Sequence, residues 1–228
     1  MTPLYEDNHI IIVQKDPGEI VQGDKTGDKP LSEIVAEYLK EKYAKPGNVF
    51  VGVVHRLDRP VGGVVIFAKT SKSLSRLNDM LKKHEIKKTY FAIVEGCPKE
   101  NSGTLTDYLT FSPHNNKTYI ASEKDSDAKI AQLNYKVLAR GDQYSLLEIE
   151  LLTGRKHQIR AQLSHLGHPI KGDLKYGAHR SNRDGSISLL ARRINFIHPV
   201  SRNEIDVLSP LPASDPLWNT LYNQIRQI

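Results

Sequence analysis

Residues 55–63 read HRLDRPVGG: one acid, Asp58, stands between Arg56 and Arg59, with His55 upstream and the apolar run VVIFAK after the glycines. A guanidinium beside a carboxylate favours its ionised form, which suits a nucleophile or a base and does not suit a general acid. The commonest fate of such an acid is an exposed ion pair of little worth. Asp58 has a second option, because it stands at the mouth of an apolar run, where a short rigid element can hold a side chain in a cleft. Other stretches also gather chemical residues: Lys88-Thr89-Tyr90, the run TGRKHQIR from Thr153 to Arg160, and His165 to Tyr176. Tyr90 is by type a core aromatic with a hydrogen-bonded hydroxyl. Its neighbours Lys87 and Lys88 suit a wall that meets a negatively charged ligand. On a helix, Arg155 and Arg160 point in different directions, whereas His157 and Arg160 share a face. One arginine is then free to face a cleft while the other meets a phosphate backbone; the plain alternative is a solvated basic surface.

Two familiar chemistries fail on residue types. Gly63 to Thr70, G-x-x-x-x-A-K-T, resembles a phosphate-binding loop, but Ala68 replaces the required glycine and Val64 to Phe67 form a stiff apolar strand. His157, His165 and His168 miss the His-Glu-x-x-His spacing, no cysteine joins them, and Gly167-His168-Pro169 reads as a helix stop. Structural or ligand-facing histidines are expected there, and no metal.

The elements that must position these residues follow from hydrophobic periodicity. HIIIVQK (9–15) reads as a buried strand stopped by the turn near Pro17-Gly18, and the polar stretch to about residue 30 as a loop. Leu31, Ile34, Val35, Tyr38 and Leu39 recur at helical spacing. GVVIFAK is a strand leaving the Asp58 motif, and Ser71 is the expected cap of a helix with Leu74, Leu77 and Leu81 on one face. KTYFAIVEG (88–96) is a strand by its aromatic and β-branched content. Residues 98–128 read as exposed hairpins or loops, and the alternation from Ala131 to Val137 with YSLLEIELL (144–152) predicts an antiparallel ladder. GRKHQIRAQLSHLGHP predicts a helix closed by Gly167, ISLLARRINFIHP a strand, and Asp215-Pro216 the start of a helix with Leu217, Leu221 and Ile225 on one face. Strands outnumber helices without strict alternation, which favours an α+β fold around a mixed or antiparallel sheet.

The chain of 228 residues carries 39% hydrophobic residues, enough for a globular core, and a net charge of +6 that is compatible with a polyanionic partner. Cys97 is the only cysteine, so an internal disulfide and a cysteine-rich zinc site are excluded and a reducing compartment is expected. No apolar run approaches the ~20 residues of a membrane span and the first residues lack a leader pattern, so the cytoplasm is the expected location. No repeat or linker-like shift appears, and one domain over residues 1–228 is expected.

Taken together, the motifs resemble the RluA-type family of RNA pseudouridine synthases. The early family stretch EDxHxxxxxKPxG is matched by YEDNHIIIVQKDPG, with Asp16 inserted before the proline. The signature His-Arg-Leu-Asp-x-x-Thr-Ser-Gly is matched by HRLDRPVGG, with Val61 and Gly62 in place of Thr and Ser. A Lys-x-Tyr strand follows as Lys88-Thr89-Tyr90, and TGRxHQIRxxLxxxGHPIxGDxxYG is kept as TGRKHQIRAQLSHLGHPIKGDLKYG. Leu190 stands where the family often has a histidine. Order and spacing agree over nearly the whole chain.

The resemblance implies a catalytic domain on a central mixed, largely antiparallel sheet, without a separate N-terminal RNA-binding domain. It implies isomerisation of uridine to pseudouridine in ribosomal or transfer RNA, with no cofactor and no metal. By position, Asp58 matches the catalytic carboxylate, Tyr90 the residue that stacks on uracil, and Arg160 the partner that keeps Asp58 ionised. Arg56 matches the arginine able to fill the gap left by a flipped base; His55, Arg59, Lys88, Arg155, His157 and Gln158 are the further candidate RNA contacts. Asp58 acts either as nucleophile at C1′ or as base at C2′, and the sequence does not choose. The alternative from another class is a non-catalytic RNA-binding module with the same fold. A metal-assisted nuclease would need carboxylate or histidine ligands where this acid has arginines, and a glycosidase would need a second carboxylate.

Overall fold

The computed structural model describes residues 3–213 and 215–225. Along the chain, β1 (Pro3–Glu6) and β2 (Ile10–Lys15) lead into α1 (Leu31–Lys42), β3 (Gly52–Val53), β4 (Gly62–Ala68) and α2 (Ser71–Lys82). Next come β5 (Lys87–Glu95), β6 (Ser102–Ser112), β7 (Lys117–Ala121), β8 (Lys129–Arg140) and β9 (Tyr144–Leu151). Then α3 (Gln158–His165) and a 3-10 turn (Leu174–Tyr176) precede β10 (Leu189–Ile197), β11 (Glu204–Leu208) and α4 (Pro216–Ile225). The fold is α+β. The chain divides into two compact units, Met1–Lys88 with Ala191–Pro210 and Thr89–Leu190 with Leu211–Ile228.

In the first unit the strands run in the order β1-β2-β4-β10, with β3 on β4 and β11 on β10. β2 and β4 pair antiparallel from Ile10↔Ala68 to Lys15↔Gly63. Both strands are buried along their length, which is why they read as continuous apolar runs without alternation. One face of the pair, Ile11, Val13, Val65 and Phe67, packs against Leu31, Val35 and Leu39 of α1. α2 lies against β4 and buries Leu77. Its N-cap is Thr70, not the expected Ser71: the Thr70 hydroxyl accepts the Ser73 N–H at 3.1 Å, and Ser71 is already helical. The two candidates are adjacent, and only the extended backbone at Thr70 decides between them.

In the second unit the order is β5-β9-β8-β6-β7, and each neighbouring pair is antiparallel. The β8–β9 ladder matches the alternation in the sequence. The stretch expected as exposed hairpins or loops is a hairpin of the 11-residue strand β6 and its antiparallel partner β7; a half-buried strand with Ser102, Thr104 and Thr106 on its wet face leaves a weak apolar signal. α4 sets Trp218 and Leu221 on Phe91, Ile93, Ala139 and Leu146, with Leu190 in the same cluster. Leu217 and Ile225, expected on that face, are partly buried beside it. α3 contributes Ala161 to a second cluster with Leu109, Ala131 and Tyr176. Among the described residues no helix is long and apolar enough to cross a membrane.

Candidate active site

Asp58 lies in the turn that delivers the chain into β4, in the first unit, and is half-buried. Its carbonyl accepts the Val61 N–H at 3.0 Å, closing a tight turn. Beneath the turn sits Lys15, the last residue of β2, with none of its surface exposed. The Lys15 ammonium donates to the carbonyls of Val61 (2.7 Å), Arg59 (3.1 Å) and Asp16 (3.1 Å). Three donors thus meet three carbonyls, and a buried charge is tolerated because each proton is satisfied. Burial pulls the Lys15 ammonium down to about 8, against the opposing pull of the Glu19, Asp58 and Asp16 carboxylates. The Gly18 N–H adds a bond to the Arg59 carbonyl at 2.8 Å. The Asp16 insertion is therefore absorbed in the turn that carries it: its carbonyl serves Lys15 and its N–H binds Glu19 at 2.8 Å.

The glycines after the motif have a packing reason. A methyl on Gly62 would fall 3.2 Å from the Pro17 ring, and one on Gly63 would fall 2.4 to 2.7 Å from the Ala191 backbone. Gly63 also has φ +126, where a side chain is strained.

Of the other candidates in this unit, Arg56 is exposed, and Arg59 turns to Asp28 and to the Thr26 hydroxyl at 3.2 Å. The His55 Nε2 accepts the Ile66 N–H at 3.2 Å, so its proton is on Nδ1. Burial, aided by the Lys88 ammonium, pushes the imidazole down to about 3 and keeps it neutral. Burial also lowers Lys88.

Tyr90 and Arg160 belong to the second unit. Tyr90 is buried in β5, opposite Ile149. Arg160, on α3, holds Asp173 with Nε and Nη2 at 2.7 and 2.9 Å, and both side chains are almost out of water. The Arg160 guanidinium also lies 4.9 Å from the centre of the Tyr176 ring. The Tyr176 hydroxyl accepts the Thr118 N–H at 2.7 Å and is hydrogen-bonded with the His157 Nδ1 at 2.9 Å. Tyr176 thus joins His157 and Arg160 in one cluster.

The geometry of Arg155 and His157 differs from the expected helix face. The helix begins only at Gln158; His157 is left-handed at φ 52, and Arg155 lies in the turn before it. The reason is Gln158, whose Oε1 accepts the Arg155 N–H at 2.9 Å and the Thr153 hydroxyl at 2.8 Å, holding the chain in a turn. Gln158 is 2% exposed and His157 8%, so both side chains face inward, although the sequence placed them among surface contacts. The Arg155 guanidinium stays at the surface and binds the Ile130 carbonyl at 3.0 Å. Residue type and spacing assign no role to Lys15, Asp173 or Tyr176; their one signal in the sequence is their place inside the KDPG and GDLKYG runs.

The fold is that of solved pseudouridine synthases: human RNA pseudouridylate synthase domain containing 4 superposes with a TM-score of 0.79 at 21% identity, over 98% of this chain and 92% of that one. A model of the family described as RNA pseudouridylate synthase matches residues 9–165. Over 218 residues the chain is 34% identical to the ribosomal large subunit pseudouridine synthase C of Buchnera aphidicola subsp. Acyrthosiphon pisum, covering 91% of this chain and 66% of that one. Over 239 residues it is 30% identical to the tRNA pseudouridine synthase C of Vibrio cholerae, covering 97% and 94%. The chain spans just under two thirds of the length of the first of these relatives. It belongs to the RNA pseudouridylate synthase family, in its RluA-type branch.

Proposed function

We propose that this chain isomerises uridine in structured RNA, ribosomal or transfer, to pseudouridine, with Asp58 as the catalytic carboxylate and no cofactor. The observation that carries this reading is the turn around Asp58, whose backbone is fixed by the buried Lys15 ammonium in a chain of this family. In the reaction the N1–C1′ bond breaks, uracil turns, C5 bonds to C1′, C5 loses its proton and N1 gains one. Breaking the glycosidic bond builds positive character at C1′, which a nearby carboxylate stabilises. Asp58 then acts at C1′ as nucleophile or at C2′ as base. Tyr90 stacks on the freed uracil and, directly or through a water, takes the C5 proton.

Arg160 keeps Asp58 ionised, with Asp173 and Tyr176 setting its guanidinium. Arg56, Arg59, Lys88 and Arg155 contact RNA. His55, His157 and Gln158 support those contacts from beneath, a role in keeping with their internal hydrogen bonds. Residues 1–228 act as one catalytic domain, in the cytoplasm. The two relatives above are named for ribosomal and transfer RNA, and both substrates are tested.

The test is release of tritium from C5-labelled uridine in transcripts, with chelator present. Asp58→Asn is expected to lower release by about 1000-fold, within the range of a lost acid–base group, while RNA binding stays near wild type. Release near the wild-type rate would remove Asp58 from the mechanism. Wild-type binding without release from either RNA class would favour the non-catalytic module.

A further inference from the structure

The loop from Ala178 to Ser188 has no part in the chemistry above, yet it is fastened along its length. The Asn182 Oδ1 accepts the Lys171 ammonium at 2.8 Å, and its Nδ2 reaches the Ser186 and Ser188 hydroxyls at 3.3 Å each. Lys171 is itself held by Asp215 at 2.7 Å. Gly172 (φ +89) forms the floor beneath Asn182: a methyl there would fall 2.8 Å from the Asn182 amide. At one shoulder Glu95 accepts the His179 N–H at 3.0 Å and meets its ring. At the other, Asp184 accepts the Ser186 N–H at 3.0 Å and its hydroxyl at 2.6 Å. A turn from Asn182 to Gly185 closes at 3.1 Å.

Every acid in this assembly is therefore engaged, and Asn182 points inward. Its neighbours Arg180 and Arg183 are exposed and make no hydrogen bond or ion pair among the described residues. Ordering a loop costs conformational entropy, and between the buried Ala178 and Ile187 the stretch HRSNRDGS has no apolar side chain to offset it. The result is two guanidiniums on a fixed base. An arginine fork matches phosphate oxygens, and a preordered base lowers the cost of binding.

We propose that this loop is a preformed clamp for the RNA backbone, with Arg180 and Arg183 each holding a phosphate and Asn182 as the positioning residue that aims them. The proposal rests on the reading that the substrate is RNA. Backbone contacts are independent of sequence, so any structured RNA is a valid probe.

The experiment is fluorescence anisotropy of the full chain with a labelled, unmodified transfer RNA transcript across a range of salt concentrations. Arg180→Ala/Arg183→Ala is expected to weaken binding on the order of tenfold and to lower the slope of log K against log salt by about 1.4 to 1.8, the value for two lost phosphate contacts. Asn182→Ala, which keeps every charge, is expected to weaken binding on the order of threefold. Melting temperatures report whether each variant is folded. A wild-type slope in the folded double variant overturns the clamp, and wild-type affinity in Asn182→Ala overturns the positioning role. Failure of the isomerase reading shows separately, as absent tritium release with the salt slopes unchanged.

Discussion

Arg160 and Asp173 meet through two N–H···O bonds with almost no water around them, so each neutralises a charge the other could not leave buried. Removing one partner of such a pair costs far more than the pair is worth against apolar residues. Arg160→Met is therefore expected to destabilise the protein by about 3 to 5 kcal/mol in urea unfolding, because the Asp173 carboxylate is left uncompensated. Arg160→Met/Asp173→Leu is expected to recover most of that loss. A double variant as unstable as the single one would show that the charge on Asp173 is not the cause. Arg160 was legible in the sequence through the HQIR run, but Asp173 was not. Thirteen residues and a helix end separate them, and only the return of the chain past Gly172 puts the acid beside the guanidinium.

At the scale of elements, the turn into β4 depends on Gly63 as much as on Asp58. Its φ of +126 and the Ala191 backbone at 2.4 to 2.7 Å from a built methyl leave no room for a side chain. Gly63→Ala is expected to cost about 3 kcal/mol or more, since the clash is with backbone that has no rotamer to change. Thermal unfolding of the variant checks this; a wild-type midpoint would mean that the strands part without penalty. The strands and helices that carry the candidate residues were largely readable from their apolar periods. The end of the TGRKHQIR run was not, because Gln158 hydrogen-bonds the Arg155 N–H and Thr153 hydroxyl and postpones the helix. Periodicity has no means of seeing a side chain that competes with the helix for its own backbone.

For the molecule as a whole, the acid limb of stability has an identifiable contributor. Burial, with the Lys88 ammonium, pushes His55 down to about 3 from its ordinary 6.5, so the unfolded chain binds a proton that the folded chain refuses. That contribution is complete above pH 6.5 and is lost as pH falls from about 6.5 toward about 3. His55→Gln, which cannot titrate, is expected to flatten the fall in melting temperature across that range. An unchanged fall would assign the acid limb to other groups. The net charge of +6 was legible from composition, as was its compatibility with a polyanion.

What the amino-acid order determined by itself was the family and the α+β class, and it singled out Asp58, Tyr90 and Arg160 as candidates, because motif spacing and hydrophobic period are local properties of the chain. Only the tertiary structure decided that Lys15 closes the turn beyond Asp58 from 44 and 46 residues away, and that Tyr176 joins His157 and Arg160. It alone fastened Asn182 between exposed arginines. The physical reason is the same in each case. A buried donor must find acceptors wherever the fold brings carbonyls, hydroxyls or carboxylates within about 3 Å, and sequence spacing carries no record of that distance.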